Sequence, residues 1–124
     1  LGAQLLDALF NCAQKALLET KINYADDFGI AVVLASKGYP GKYHKGEEII
    51  GLENISENDE IQVFHSGTAL DGIKLVSNGG RVLSITTRSE DLESARKKVY
   101  DALTTIQWKG GFYRKDIGCK RSQK

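Results

Sequence analysis

Apolar residues recur at near-helical spacing from Leu1 to about Glu19, at Leu5, Leu9, Ala13, Ala16 and Leu17, with good helix formers between them. This predicts a helix with one face suited to packing on a neighbour. The pattern breaks over Asn23 to Asp27. The run Gly29-Ile30-Ala31-Val32-Val33-Leu34-Ala35 follows, short and continuously apolar, as in a central strand covered on both faces. From Ser36 to Gly46, three glycines and the only proline exclude regular structure and predict a shaped loop, with Pro40-Gly41 fitting a type II turn.

Glu47-Glu48-Ile49-Ile50 reads as a short strand, and Gly51 to Glu60 as a polar connector. Ile61-Gln62-Val63-Phe64-His65 alternates at period two. Asp71-Gly72 and Asn78-Gly79-Gly80 each supply residues that accept the positive φ of a two-residue hairpin. Together they predict a meander of consecutive antiparallel strands ending in Arg81 to Thr87, whose edge needs a cover. A helix from about Leu92 to Gln107 supplies it, with Leu92, Ala95, Val99, Leu103 and Ile106 on one stripe and Ser89 or Asp91 as cap. Trp108 to Gly111 ends that helix, and Phe112 to Gly118 reads as a last strand.

The chain has 124 residues, within the usual size of one domain, and at this length about two-thirds of the unfolded surface can be buried. Lys plus Arg number 17 and Asp plus Glu 16, which gives no general electrostatic case for nucleic acid or an anionic membrane. Any anion site must therefore be local. The longest apolar run, Ile30 to Ala35, is far short of the ~20 residues of a membrane helix, and no signal sequence opens the chain, so a soluble cytoplasmic protein is expected. Cys12 and Cys119 lie far apart without a second ligand at metal spacing. Cys12, inside the apolar helical pattern, is expected to pack as a small hydrophobe. Leu1 begins in mid-pattern without a cap, as if the chain were cut from a longer one, and the Lys-Arg-Ser-Gln-Lys tail is polar.

Arg81 is the residue that the second turn does not need. A guanidinium at the exit of a glycine turn suits anion binding, with a solvated surface arginine as the competing reading. Arg114-Lys115-Asp116 offers two cations and a carboxylate, for which a surface ion pair is the plain explanation. His44 and His65 lack the partners of a hydrolase or zinc site. Neither a phosphate-binding Gly-x-x-x-x-Gly-Lys-Ser/Thr loop nor a strand-to-helix Gly-x-Gly-x-x-Gly is present, so any nucleotide pocket belongs to another domain. A non-catalytic carrier or interaction module is the alternative, with Lys74 after Asp71-Gly72-Ile73 as attachment point, although Lys74 is offset from the turn.

Four blocks occur in order: Tyr39-Pro40-Gly41 with Gly46, Val63-Phe64-His65-Ser66-Gly67-Thr68, Asn78-Gly79-Gly80-Arg81-Val82-Leu83, and Tyr113-Arg114-Lys115-Asp116-Ile117-Gly118. From Gly29 to Gly118 the chain resembles the C-terminal domain of the phosphoribosylamine–glycine ligase family, ATP-grasp enzymes of de novo purine synthesis. Ser66 stands where the family usually has alanine, and Cys119-Lys120-Arg121 departs from its usual ending. The resemblance implies an α+β fold, with an antiparallel sheet curled into a partial barrel or barrel-sandwich hybrid and packed helices. It implies a helix over 1–20 leading in from an ATP-grasp region, the C-terminal domain over 21–118 and a polar tail over 119–124. It further implies a reaction joining glycine to 5-phosphoribosylamine with ATP and Mg2+, both bound mainly by the ATP-grasp region, and N-terminal and ATP-grasp domains of the same chain as partners. No catalytic or metal-binding residue is assigned within these residues, and the fragment alone is expected to be inactive. The domain's expected part is to close the active-site cleft, with Gly79, Gly80 and Arg81 holding a sugar phosphate and Arg114 or Lys115 adding charge.

Overall fold

The computed structural model describes residues 4–55, 58 and 60–119. Along the chain run α1 (Gln4–Ala13), β1 (Phe28–Ser36), β2 (Ile61–His65), β3 (Thr68–Asp71), β4 (Lys74–Ser77), β5 (Arg81–Ser89), α2 (Leu92–Thr105) and β6 (Gly111–Phe112). The fold is α+β with antiparallel sheets. One sheet has the order β2-β5-β1-β6, and β3 and β4 form a separate pair. No closed barrel forms among the described residues.

The core lies between α2 and one face of the larger sheet. Register places Ile30, Val32 and Leu34 of β1 beside Thr87, Ile85 and Leu83 of β5, and all six are buried. Ala95, Val99 and Leu103 of α2 complete this cluster, as their helical stripe predicts. The Thr87 hydroxyl donates to the Ala95 carbonyl at 2.7 Å, which satisfies a buried polar group and ties sheet to helix. β1 is central, as expected, but it is not covered on both faces. Ala31 and Val33 are exposed on the far side, together with Gln62 and Phe64 of β2.

The expected three-strand meander does not form. Asp71-Gly72 does make a hairpin, with Gly72 at φ +61 and β3 paired to β4, but β5 leaves β4 and runs between β1 and β2. A nine-residue strand carrying Leu83, Ile85 and Thr87 buries more apolar surface between two neighbours than beside a four-residue edge. Asn78 to Gly80 is thus a crossing between sheets. The segment expected as a strand near Glu47–Ile50 makes only the isolated bridges Glu48–Val76 and Ile50–Gln107. Phe112 to Gly118 is strand only at Gly111–Phe112. Beyond it, the Tyr100 hydroxyl donates to the Arg114 carbonyl at 2.8 Å and Arg96 donates to the carbonyls of Lys115 and Ile117, so the segment is held by α2 rather than by a ladder.

The first helix ends sooner than its periodicity suggests. Lys15 takes the left-handed conformation, φ +62, and a 3₁₀ turn over Leu17–Glu19 follows. Ala8 is the buried residue of α1, while Leu5, Leu6, Leu9 and Phe10 are exposed and Cys12 with them. Periodicity identified a shared face, but nothing among the described residues covers it, so Cys12 is not a core thiol. Residues 1–3 and 120–124, which include most of the expected tail, lie outside the described residues.

α2 starts at Asp91, whose carboxylate accepts the Ser94 amide at 2.8 Å, the N-cap arrangement expected from sequence. The Ser94 side chain, then its amide, hold the Asp91 carboxyl below its ordinary 3.8. A depressed carboxyl pKa contributes stability that is present above the unfolded value and lost as pH falls through the folded one. Thermal melts are therefore expected to show Asp91→Ala lowering the melting temperature at neutral pH, with the difference from wild type vanishing as pH drops below 3.8. A difference that persists undiminished in acid would contradict the cap assignment.

Candidate functional site

Three of the motif blocks meet at the start of β5. The backbone of Ser66-Gly67 wraps it, with both amides donating to the Val82 carbonyl at 3.0 and 3.1 Å. The Asn78 amide donates to the Gly67 carbonyl at 2.7 Å, which brings Gly67 against Gly79. A Cβ on Gly67 would stand 2.6 Å from the Arg81 oxygen and 2.9 Å from the Gly79 Cα. From the other side, Ser36 at the end of β1 accepts the Tyr39 amide at 3.0 Å, and the turn lays the Tyr39 ring where a Gly80 side chain would be.

The glycines are therefore used differently from the expectation. Gly79 and Gly80 do not have positive φ; among the described glycines that property belongs to Gly38, Gly46, Gly51, Gly72 and Gly118. Close approach, not turn handedness, restricts both: a Cβ on Gly80 would overlap the Tyr39 ring, and one on Gly79 would stand a tight 3.0 Å from the Gly67 Cα. Gly41 also lacks the positive φ of a type II turn, and Pro40 follows a cis peptide bond, so the Pro40-Gly41 turn is of another kind.

A cavity of ≈ 480 Å³ opens here, lined by Val33, Tyr39, Ser66, Gly80, Arg81 and Ser84, within the ~300–1,000 Å³ typical of small-molecule sites. Arg81 is exposed, and its guanidinium has no acceptor among the described residues. Gly80 is buried, and neither its amide nor that of Gly79 donates a hydrogen bond among those residues. Their carbonyls are engaged by Ser36: its hydroxyl donates to Gly79 at 2.7 Å and its amide to Gly80 at 2.8 Å. A buried amide without an acceptor, beside a free guanidinium, is chemically a site for an anion.

Arg114 and Lys115 do not line this cavity. Arg81, Ala35 and Phe112 share one row across the sheet, but the chain after Phe112 follows α2. Arg114 instead grips Asp116 through two hydrogen bonds, 2.9 and 2.5 Å, as the plain reading of that segment expects. The paired side chains raise the Arg114 pKa and lower that of Asp116. Lys115 is exposed. Lys74 lies in the ladder opposite Asp71, within 3.2 Å of Glu48, and so is not displayed at the hairpin tip as a carrier lysine would be.

A second hollow of ≈ 520 Å³ lies at the other end of the same open sheet face, over Ala31, Gln62 and Thr86. Its charges are already matched: Arg88 is 3.6 Å from Asp27, and Glu60 accepts from Lys98 at 2.7 Å. The cavity at Arg81 therefore has the stronger claim on an anion. Among the described residues no group of three or more His, Cys, Asp or Glu is placed to hold a metal ion, and no helix is long and apolar enough to cross a membrane. Cys12 and Cys119 are free.

Sequence reasoning picked out Gly79, Gly80 and Arg81 but missed Tyr39, Ser66 and Ser84 as cavity residues, and Ser36 as the partner of the Gly79 and Gly80 carbonyls. Tyr39 and Ser66 lie inside the recognised blocks, so the signal for them existed. Ser36 and Ser84 carry none in the sequence.

Residues 29–120 match the family described as Phosphoribosylglycinamide synthetase, C domain. The phosphoribosylamine–glycine ligase of Mesorhizobium japonicum is 44% identical over 102 residues, 82% of this chain and 24% of that protein. The chloroplastic phosphoribosylamine–glycine ligase of Arabidopsis thaliana is 41% identical over 120 residues, 95% of this chain and 23% of the relative. The trifunctional purine biosynthetic protein adenosine-3 of Gallus gallus is 44% identical over 115 residues, 93% and 11% respectively. The crystal structure of phosphoribosylamine–glycine ligase from Thermotoga maritima superposes with a TM-score of 0.66 at 33% identity, covering 89% of this chain and 27% of that one. The chain thus spans a quarter or less of the first two relatives' length, and less of the third.

Proposed function

Because the chain belongs to the phosphoribosylglycinamide synthetase C-domain family, we propose that it is the C-terminal domain of a cytoplasmic ATP-dependent ligase joining glycine to 5-phosphoribosylamine. In this reading residues 21–118 are the domain, 1–20 lead in from an ATP-grasp region, and 119–124 form a tail. The four- and two-stranded sheets act as halves of a partial barrel-sandwich.

In this reading the γ-phosphoryl of ATP passes to the glycine carboxylate and ADP leaves; the amine of phosphoribosylamine then attacks the acyl phosphate, loses a proton and forms the amide as phosphate leaves. Magnesium does not fit the described residues, among which no cluster of ligands is placed to hold it, and it is assigned with the nucleotide to the ATP-grasp region. This domain's work is to bind and orient. The observation that carries the reading is the Arg81 guanidinium, which has no acceptor among the described residues, next to the amide of buried Gly80, which donates to none of them. A phosphate can take two parallel N–H bonds from Arg81 and a third from Gly80, which fixes the sugar and aims its amine. Walling the cleft also helps keep water from the acyl phosphate.

The isolated chain is expected to show no ligation, whereas a full-length enzyme carrying it consumes ATP only when glycine and phosphoribosylamine are both present. Deleting 21–118 from that enzyme should abolish amide formation. Product formed by the fragment alone, or undiminished by the deletion, would contradict the assignment.

A further inference from the structure

Ser36 is 1% exposed and lies at the end of β1. Its hydroxyl donates to the Gly79 carbonyl at 2.7 Å, while its amide donates to the Gly80 carbonyl at 2.8 Å. The second bond is made by backbone and would survive loss of the side chain. The first would not. In a trans peptide the carbonyl and the following N–H point in opposite directions, and the cis bond among the described residues is Tyr39-Pro40. Holding the Gly79 carbonyl toward β1 therefore aims the Gly80 amide away from it. Glycine on both sides of this peptide leaves its plane little restrained by local sterics, so the orientation needs an external hold.

We infer that Ser36 is a positioning residue for anion binding: its hydroxyl locks the Gly79–Gly80 peptide so that the Gly80 amide meets the substrate phosphate. The inference rests on the reading of Arg81 and Gly80 as a phosphate site. Ser36 touches no substrate and acts through that peptide alone. Its predicted signature is a binding defect specific to the sugar phosphate.

The test compares Ser36→Ala, Arg81→Ala and Thr87→Val in a full-length enzyme. Thr87→Val removes another buried hydroxyl-to-carbonyl bond of 2.7 Å, on the α2 side of the core, and reports what destabilisation alone does. Ser36→Ala is expected to raise the KM for phosphoribosylamine on the order of tenfold, the effect of one lost hydrogen bond at a charged ligand. The inhibition constant of ribose 5-phosphate should rise in parallel, with kcat and the KM for ATP within about twofold of wild type. Thr87→Val should lower the melting temperature and leave these constants unchanged. If Ser36→Ala does not fold, Ser36→Cys, a weak donor of similar size, should give a smaller rise in the same two constants. An unchanged KM in Ser36→Ala, or in Ser36→Cys where that stands in, overturns the inference, and so does an equal rise in Thr87→Val. If Arg81→Ala raises the KM and the Ser36 variant does not, the inference alone fails; if neither does, the phosphate-site reading fails with it.

Discussion

Replacing Arg81 with alanine in a full-length enzyme is expected to raise the KM for phosphoribosylamine by roughly ten- to a hundredfold. Hydrogen bonds to charged groups contribute about 1.5–3 kcal/mol, and each 1.4 kcal/mol is a factor of ten in affinity. The constants for ATP and glycine should change little, because the guanidinium is assigned to the sugar phosphate. Arg81→Lys keeps the charge but loses the planar pair of donors, so an intermediate value is expected. Stability should not move, since Arg81 is exposed and has no acceptor among the described residues. Steady-state kinetics with a thermal melt of each variant separates these outcomes. An unchanged KM would return Arg81 to the ordinary solvated surface.

Gly67→Ala is expected to damage fold and site together. Its Cβ would lie 2.6 Å from the Arg81 oxygen and 2.9 Å from the Gly79 Cα. Both obstacles are backbone, and neither can swing aside as a side chain would. Relief requires Ser66-Gly67 to part from the start of β5, which strains the bonds from Ser66 and Gly67 to the Val82 carbonyl. The cost is estimated at about 3 kcal/mol, the upper end for overpacking a closely packed site. Denaturant unfolding measures it, and the surviving folded enzyme should bind phosphoribosylamine more weakly because Gly79, Gly80 and Arg81 have shifted. A stability change near zero would show that the two backbones are not in contact.

The parts of the fold legible in the sequence are those set by neighbours in the chain. Asp91 and the stripe Ala95, Val99, Leu103 announced α2, and Asp71-Gly72 announced the β3–β4 hairpin, because caps, helical faces and tight turns are local chemistry. Asn78-Gly79-Gly80 looked like the same kind of turn and is not. Its glycines answer to Gly67 and Tyr39, residues about 10 and 40 positions away in sequence, and no window around the turn contains them. The pairing of β5 with β1 and β2 was hidden for the same reason.

Burial was legible only in part. The run Ile30 to Ala35 offers apolar residues to both faces, but α2 covers only the face of Ile30, Val32 and Leu34. Cys12 was misplaced by equating an apolar helical face with a covered one. In the site, Arg81 was visible because no turn requires an arginine. Ser36 was invisible because one serine at a strand end has no signature until its hydroxyl is seen on the Gly79 carbonyl.

The claim that this domain holds a sugar phosphate is tested most directly by a crystal structure of a full-length enzyme with glycinamide ribonucleotide bound. The account predicts phosphate oxygens within about 3.2 Å of the Arg81 guanidinium and of the Gly80 amide nitrogen, the range of normal hydrogen bonds. A phosphate seated on other residues, with Arg81 facing solvent, would contradict it.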